Sequence, residues 1–226
     1  MDRINVMKDK TAYLSKDEVD AMLDWCYNND RVRDYVLILT LIRTARRVTE
    51  IVGRKPYKYH KGLRPCDIQP NNLIEWDILK KNHVFRKTKT GQERSPEIVK
   101  RMLRDKQPTR KLKPVDDEYY SILKEYIESQ GITPYERVFP LTRQHVDKII
   151  KRAAKACNIT RPHSKIHAHN FRHSYAIWML KNNPNDASTL RHVQELLDHE
   201  NIEMTMTYAQ FTQADKLNSL NRLFVS

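Results

Sequence analysis

The sequence predicts a mainly α-helical fold with a small antiparallel β-sheet, an α+β arrangement. Three observations carry that expectation: apolar residues recur at helical spacing along most of the chain, one stretch alone alternates apolar and charged residues with period two, and no internal repeat or low-complexity tract interrupts them. At 226 residues and 39% hydrophobic content, the chain is long enough for one well-buried core. A single domain over 1–226 is expected, with a flexible N-terminus at residues 1–12.

Ser15 followed by Glu18 makes an S-x-x-E capping box, and Val19, Met22 and Leu23 recur behind it, so a helix runs through about Tyr27 until Asn28 and Asn29 end it. The next segment, RVRDYVLILTLIRTARRVTEIV, is apolar in its middle and rich in Leu; it reads as one buried helix that turns basic at Arg46 and Arg47. Between 67 and 90, Ile74, Trp76 and Ile78 alternate with Glu75 and Asp77, the period of a strand with one buried face. Its partner begins at His83 or returns only at Arg110–Val115, because the charged stretch KTGQERSPEIVKRMLRDKQPT reads as an insertion or loop.

Tyr119, Ile122, Leu123, Tyr126 and Ile127 then lie on one helical stripe, with Gly131 as its stop. Val146, Ile149, Ile150, Ala153 and Ala154 define a further helix between Thr142, its cap, and Asn158. From Phe171 to Phe224 the chain reads as short helices broken at Pro184 and around Glu200. The last of these carries an apolar stripe of Leu217, Leu220, Leu223 and Phe224.

Lys and Arg number 41 against 28 Asp and Glu, a formal net charge of +13, which favours a polyanionic partner and nucleic acid first. The same surplus would suit a merely soluble basic protein, so the motifs must decide. The three cysteines, Cys26, Cys66 and Cys157, are far apart and make no C-x-x-C pair. A reducing, intracellular setting is expected. No window approaches a membrane span and the first ten residues lack the apolar core of a signal peptide, so the expected location is cytoplasmic.

Four polar clusters stand where apolar segments end: Arg46 with Arg47, Lys80 with Lys81, HAHNFRH at 167–173, and LDHENIEMTMTY at 197–208. In order and spacing they resemble the tyrosine recombinases, whose catalytic domains carry a T-G-x-R-x-S-E-like segment, a lysine at a strand end, an H-x-x-R, an L-G-H and a tyrosine shortly after. TARRVTEI at 44–51 is similar to the first segment, which makes Arg47 the counterpart of the first catalytic arginine and Glu50 that of its supporting carboxylate. His169 and Arg172 match the H-x-x-R. Leu197, Asp198 and His199 resemble the L-G-H, and Tyr208 lies nine residues beyond His199, the family's usual interval to its nucleophile.

The resemblance covers residues 11 to 226, and its wording looks most like archaeal and archaeal-virus integrases. It departs at Ala45 and Asp198, each in place of a usual glycine, and at Phe171 in place of a leucine. Asp198 brings a negative charge toward the expected phosphate site, where it would repel DNA unless it turns away or pairs with a base.

The resemblance implies double-stranded DNA as substrate and transesterification through a 3′-phosphotyrosyl intermediate, with no metal and no other cofactor. The residue types suit that chemistry. Arginine forks hold phosphate oxygens in pairs and stay protonated. A tyrosine, with a reference pKa of about 10, needs a base such as His169 to take its proton, and His199 would hydrogen-bond the phosphate. A lysine would protonate the leaving 5′ hydroxyl; Lys80 is the first choice by the family's spacing, with Lys81 and Lys89 as alternatives.

Each residue also has an ordinary reading. Arg47 could complement a helix dipole, Tyr208 could be half-buried packing, and His163, His167, His169 and His173 could gather on a metal, although no carboxylate or cysteine completes such a ligand set. The joint order of Arg47, Lys80, His169, Arg172, His199 and Tyr208 favours the catalytic reading. The catalytic-type segment begins within the first fifteen residues, so the N-terminal core-binding domain usual in the family is expected to be absent. The tail after Tyr208 is expected to dock on its own domain or on a neighbouring protomer, and exchange of tails would build a DNA-bound tetramer. Two rival readings stand beside this one: a type IB topoisomerase-like enzyme, and a catalytically silent DNA-binding protein that retains the fold.

Overall fold

The computed structural model describes residues 13–54, 60–78, 92–98, 102, 109–160, 166–182, 187–199, 201–203, 205–206 and 208–209. They belong to two compact units, Met1–Arg47 with Val146–Ser226, and Val48–His145.

In the first unit the capping box forms as the sequence predicts: Ser15 Oγ accepts from the Glu18 N–H at 3.1 Å and a Glu18 carboxylate oxygen accepts from the Ser15 N–H at 2.8 Å. It starts α1 (Lys16–Asn28), which buries Val19, Met22 and Cys26. The next helix, α2 (Val32–Thr44), is buried from Val36 through Ile42. Two of its three buried polar residues satisfy themselves locally, Thr40 and Thr44 each donating a hydroxyl to the carbonyl four residues back, at 2.7 and 2.6 Å.

Here the structure differs from the single basic-ended helix read from the sequence. α2 stops at Thr44, Ala45 takes a left-handed conformation with φ 50°, and the chain resumes as a separate short helix, α3 (Val48–Val52). A non-glycine residue in that region costs roughly 1–2 kcal/mol, so long-range partners of the turn must hold it there.

Helix α5 (Arg143–Ala156) buries the predicted stripe Val146, Ile149, Ile150, Ala153 and Ala154; Thr142 Oγ1 accepts from the His145 N–H at 3.3 Å, and Asn158 follows with φ 54°. Helix α6 (Ala168–Asn182) begins three residues earlier than Phe171, where the sequence reading starts its last helical region. The N–H groups of its entry are satisfied by side chains, His167 donating to Asn170 Oδ1 at 2.8 Å and Ala168 to Asp147 Oδ1 at 3.3 Å. α2 packs against α1 and α6, and α6 against α7 (Ala187–Leu196). The entry of α1 is tied to α6 by Leu14, whose N–H donates to Ser174 Oγ at 2.6 Å and whose carbonyl accepts from Trp178 Nε1 at 3.1 Å. The breaks expected at Pro184 and Glu200, and the apolar stripe at 217–224, lie outside the described residues, as does the N-terminal stretch 1–12.

In the second unit a three-stranded antiparallel sheet has the order β1 (Ile68–Gln69), β2 (Leu73–Ile78), β3 (Thr109–Pro114). Ile74, Trp76 and Ile78 are the buried face of β2, as the alternation predicts. Of the two partners open in the sequence, the 109–114 return forms, with Trp76 opposite Lys111; His83 lies outside the described residues. Asp67, buried before β1, accepts from the Arg64 N–H and Nε, each at 3.1 Å, and from Arg110 of β3. Helix α4 (Asp117–Ser129) is capped by Asp116, which accepts from the Tyr119 N–H at 2.9 Å, and Gly131 with φ +60° closes it. Among the described residues no helix is long and apolar enough to cross a membrane.

The two faces of the sheet give an energetic test. Trp76 is 1% exposed and Leu112 is 54% exposed. Trp76→Ala is expected to lower the unfolding free energy by about 3–5 kcal/mol and Leu112→Ala by less than about 0.5 kcal/mol. Chemical denaturation reads both, and equal losses would contradict the assignment of faces.

Candidate active site

Two left-handed turns frame the site, both within the unit Met1–Arg47 with Val146–Ser226. The first is Ala45, directly ahead of Arg46 and Arg47; the second is Asp198, φ 48°, between Leu197 and His199 at the end of α7. From α6, Arg172 reaches both. Its Nη1 donates to the Ala45 carbonyl at 2.8 Å and its Nη2 to the Leu197 carbonyl. Both acceptors end helices, α2 and α7, where unsatisfied carbonyls concentrate negative partial charge, so a cation is the fitting partner. Arg172 is 2% exposed, and a guanidinium stays protonated even there.

A second bridge joins the same turns. Arg46 Nη1 lies 2.6 Å from Asp198 Oδ2, with the two side chains 1% and 4% exposed. The charge feared from Asp198 is therefore spent inside the protein on an arginine. Arg46 also donates Nε to the Thr44 carbonyl at 3.3 Å, while its Nη2 is buried with no hydrogen-bond partner among the described residues.

Tyr208 is 6% exposed and packs with Ala45, Ala176, Ile177, Leu180, Val193 and Leu197. Its hydroxyl lies 2.6 Å from His173 Nδ1. The His199 ring stands nearly parallel to the phenol ring, centroids 6.2 Å apart, and His199 Nδ1 is 2.9 Å from Thr205 Oγ1. His169 meets His173 edge-on at 4.4 Å, so it is one ring removed from the phenol.

Burial, the largest influence, pushes the His173 pKa from its ordinary 6.5 down to about 4, and the charge of Arg172 adds to it. His169 shifts the same way, by desolvation first and then by His173, Arg172, His167 and Arg47; the residue is exposed overall, so water offsets part of the penalty. Burial raises the Tyr208 phenol, while Arg172 and Arg47 pull it back toward ionisation. At neutral pH both histidines are neutral and Tyr208 carries its proton, so His173 Nδ1 is an acceptor and the phenol its donor.

Of the residues chosen from the sequence, Arg47, His169, Arg172, His199 and Tyr208 are described and gather around this point. Lys80, with Lys81 and Lys89, lies outside the described residues. Glu50 is buried in α3. His167, His169 and His173 form a row of rings; His163 lies outside the described residues, and among the described residues no group of three or more His, Cys, Asp or Glu side chains is arranged to hold a metal. Two residues were given no role in the catalytic reading of the sequence. His173, four positions after His169 and so on the same helical face, is the direct partner of the phenol, and Arg46 pairs with Asp198.

The histidines set a pH dependence. The unfolded chain takes up protons as the pH falls below about 6.5, whereas folded His173 stays neutral down to about 4. Its contribution is thus fully present above 6.5 and is lost as the pH falls through that window. Thermal unfolding at about pH 7 and about pH 4.5 is expected to show a smaller loss of stability in His173→Asn than in the parent. An equal loss would contradict a buried neutral His173.

Residues 59–215 match the phage integrase family. A tyrosine recombinase of Thermosipho africanus is 30% identical over 216 residues, covering 93% of this chain and 61% of that protein; one of Pseudothermotoga lettingae is 23% identical, covering 93% and 60%. The chain thus spans about three fifths of the length of these curated relatives. Both come from bacteria, so they do not carry the archaeal and archaeal-virus likeness read from the sequence wording. Among solved structures, XerA recombinase superposes with a TM-score of 0.62 at 17% identity, over 95% of this chain and 65% of that one. XerH site-specific recombinase, in a post-cleavage complex with palindromic difH substrate, superposes with a TM-score of 0.63 at 18% identity, over 96% of this chain and 54% of that one. The fold is that of these recombinases, mostly helical with a small three-stranded antiparallel sheet. By the match over 59–215, the chain belongs to the phage integrase family, the tyrosine recombinases.

Proposed function

We propose that this chain is the catalytic domain of a site-specific DNA recombinase, which cleaves and rejoins double-stranded DNA by transesterification through a 3′-phosphotyrosyl bond to Tyr208. The observation that carries it is the contact between the Tyr208 hydroxyl and neutral His173, beside the charges of Arg172 and Arg47. The family match runs from 59 through 215, across both units, which supports one catalytic domain.

In the forward step the Tyr208 oxygen attacks a backbone phosphorus and the bond to the 5′ oxygen breaks. His173 takes the phenolic proton, with His169 behind it, a nearer acceptor than the His169 expected from the sequence. Arg47, Arg172 and His199 face the negative charge that grows on the phosphate oxygens. Lys80 is assigned the proton for the leaving 5′ hydroxyl on the family's spacing alone. Rejoining is the reverse step, and the phosphotyrosine bond conserves the energy for it. Because Tyr208 is packed among apolar side chains, it must turn outward to reach a phosphate, at the expense of part of the binding energy of DNA.

The net charge of +13 supports a DNA partner, and the XerH complex is that of a relative in fold bound to its DNA substrate. Assembly into a tetramer on paired sites, through the tail after Tyr208, belongs to the same proposal. The silent DNA-binding reading drew in part on the charge of Asp198, and the Arg46 pair speaks against that part.

The test is incubation with a pool of nicked duplexes of randomised sequence, followed by denaturing electrophoresis. The parent is expected to give a denaturation-resistant protein–DNA adduct. Tyr208→Phe is expected to give none while losing only about 1 kcal/mol of stability with its hydrogen bond. Salt-sensitive DNA binding without an adduct from the parent would overturn the proposal in favour of the silent reading.

A further inference from the structure

We propose that Arg46 and Asp198 are positioning residues: their buried ion pair locks the two left-handed turns that carry Arg47 and His199, and so fixes the spacing of two phosphate-facing groups. The catalytic half of this statement rests on the recombinase reading above; the structural half does not.

Four observations combine. The pair is separated by 152 positions in sequence yet closes at 2.6 Å with both side chains almost fully buried. Each partner is next to a residue assigned to the phosphate: Arg46 precedes Arg47 and Asp198 precedes His199. Both turns are held in the left-handed region by non-glycine residues, Ala45 at φ 50° and Asp198 at φ 48°, a conformation that persists only where surrounding contacts enforce it. Arg172 joins the backbones of the same two turns, from Ala45 to Leu197, so the ion pair is the second cross-link of a doubly tied frame.

The backbone tie fixes the distance between the turns at one point only and leaves rotation about it. A second tie through the adjacent side chains removes that rotation. Burial also makes the two charges interdependent. Arg46 has one carboxylate partner among the described residues, and its Nη2 has none to fall back on. Removing Asp198 strands Arg46 in a poorly solvated place, whereas removing both takes that problem away. Were Asp198 merely a surface acid near DNA, losing Arg46 would be nearly neutral and losing Asp198 would strengthen DNA binding.

The experiment compares the full chain with Arg46→Leu, Asp198→Gly and the double variant, in two readouts. The first, without DNA, is hydrogen exchange at the His199 amide, which donates to the Gln194 carbonyl at 3.0 Å, with the Cys157 amide on the Ala153 carbonyl at 3.0 Å as control. Each single variant is expected to speed exchange at His199 by at least about tenfold relative to the control, and the double variant to return most of it. The second is the rate of adduct formation on nicked DNA at saturating DNA, with affinity measured separately. Each single variant is expected to lose at least about tenfold in rate with little change in affinity, and the double variant to recover to within about threefold of the parent.

Unchanged His199 exchange in the single variants overturns the lock, whatever the activity. Faster exchange with an unchanged cleavage rate overturns the positioning role. Loss in the double variant equal to the sum of the single losses overturns the pairing. If the parent forms no adduct, the recombinase reading fails by itself, and the exchange readout still decides whether the pair holds the turns.

Discussion

The frame of the site depends on one guanidinium. Arg172 is buried in the second turn of α6 and donates to the last carbonyls that α2 and α7 leave unsatisfied, those of Ala45 and Leu197. A point charge on a flexible stem could satisfy one of them; a planar fork satisfies both and fixes the distance between them. From that geometry follow the left-handed turn at Ala45, the end of α2 at Thr44 instead of a continuous helix, the turn at Asp198, and the placement of Arg47 and His199 just beyond. Tyr208 packs in the cluster that includes Ala45 and Leu197, so the phenol also takes its position from residues that Arg172 holds.

The electrostatics follow the same economy. Arginines cannot shed their protons, whereas the histidines and the tyrosine between them can hold or release theirs. Burial and the neighbouring cations keep His173 neutral, and burial keeps the phenol protonated, so the resting site concentrates positive charge without ionising Tyr208. Asp198, the one acid within the motif at 197–199, is neutralised by Arg46 from inside. In the proposed reaction, an arriving phosphate would meet a net positive site whose neutral imidazole already lies on the phenolic proton.

Much of this was legible in the sequence, for identifiable reasons. The capping box at Ser15, the stripe of α5 and the alternation of β2 follow from local periods, and the structure keeps them. The order of Arg47, His169, Arg172, His199 and Tyr208 could be read because it resembles the family's motifs, and the structure brings these residues near one another. What remained hidden depends on contacts distant in sequence. The break at Ala45 arises from Arg172, far along the chain, and overrides an apolar, Leu-rich run that would otherwise continue as helix. The pairing of Arg46 with Asp198 needs the two turns brought together, so Asp198 could be read only as an unexplained charge. The strand partner at 109–114 lay beyond a charged insertion that local pattern could not bridge. His169 and His173 share one face of α6, and only the position of Tyr208 shows which of them meets the phenol; the resemblance to the family's H-x-x-R favoured His169.

The central claim is a covalent bond between Tyr208 and DNA. Its most direct test is mass mapping of the protein–DNA adduct after nuclease trimming and proteolysis, with the parent chain on a nicked duplex. A nucleotide 3′-phosphate attached to the peptide containing Tyr208, at that residue, is the predicted result. Attachment at another side chain, or an adduct that carries no phosphotyrosine, would contradict it.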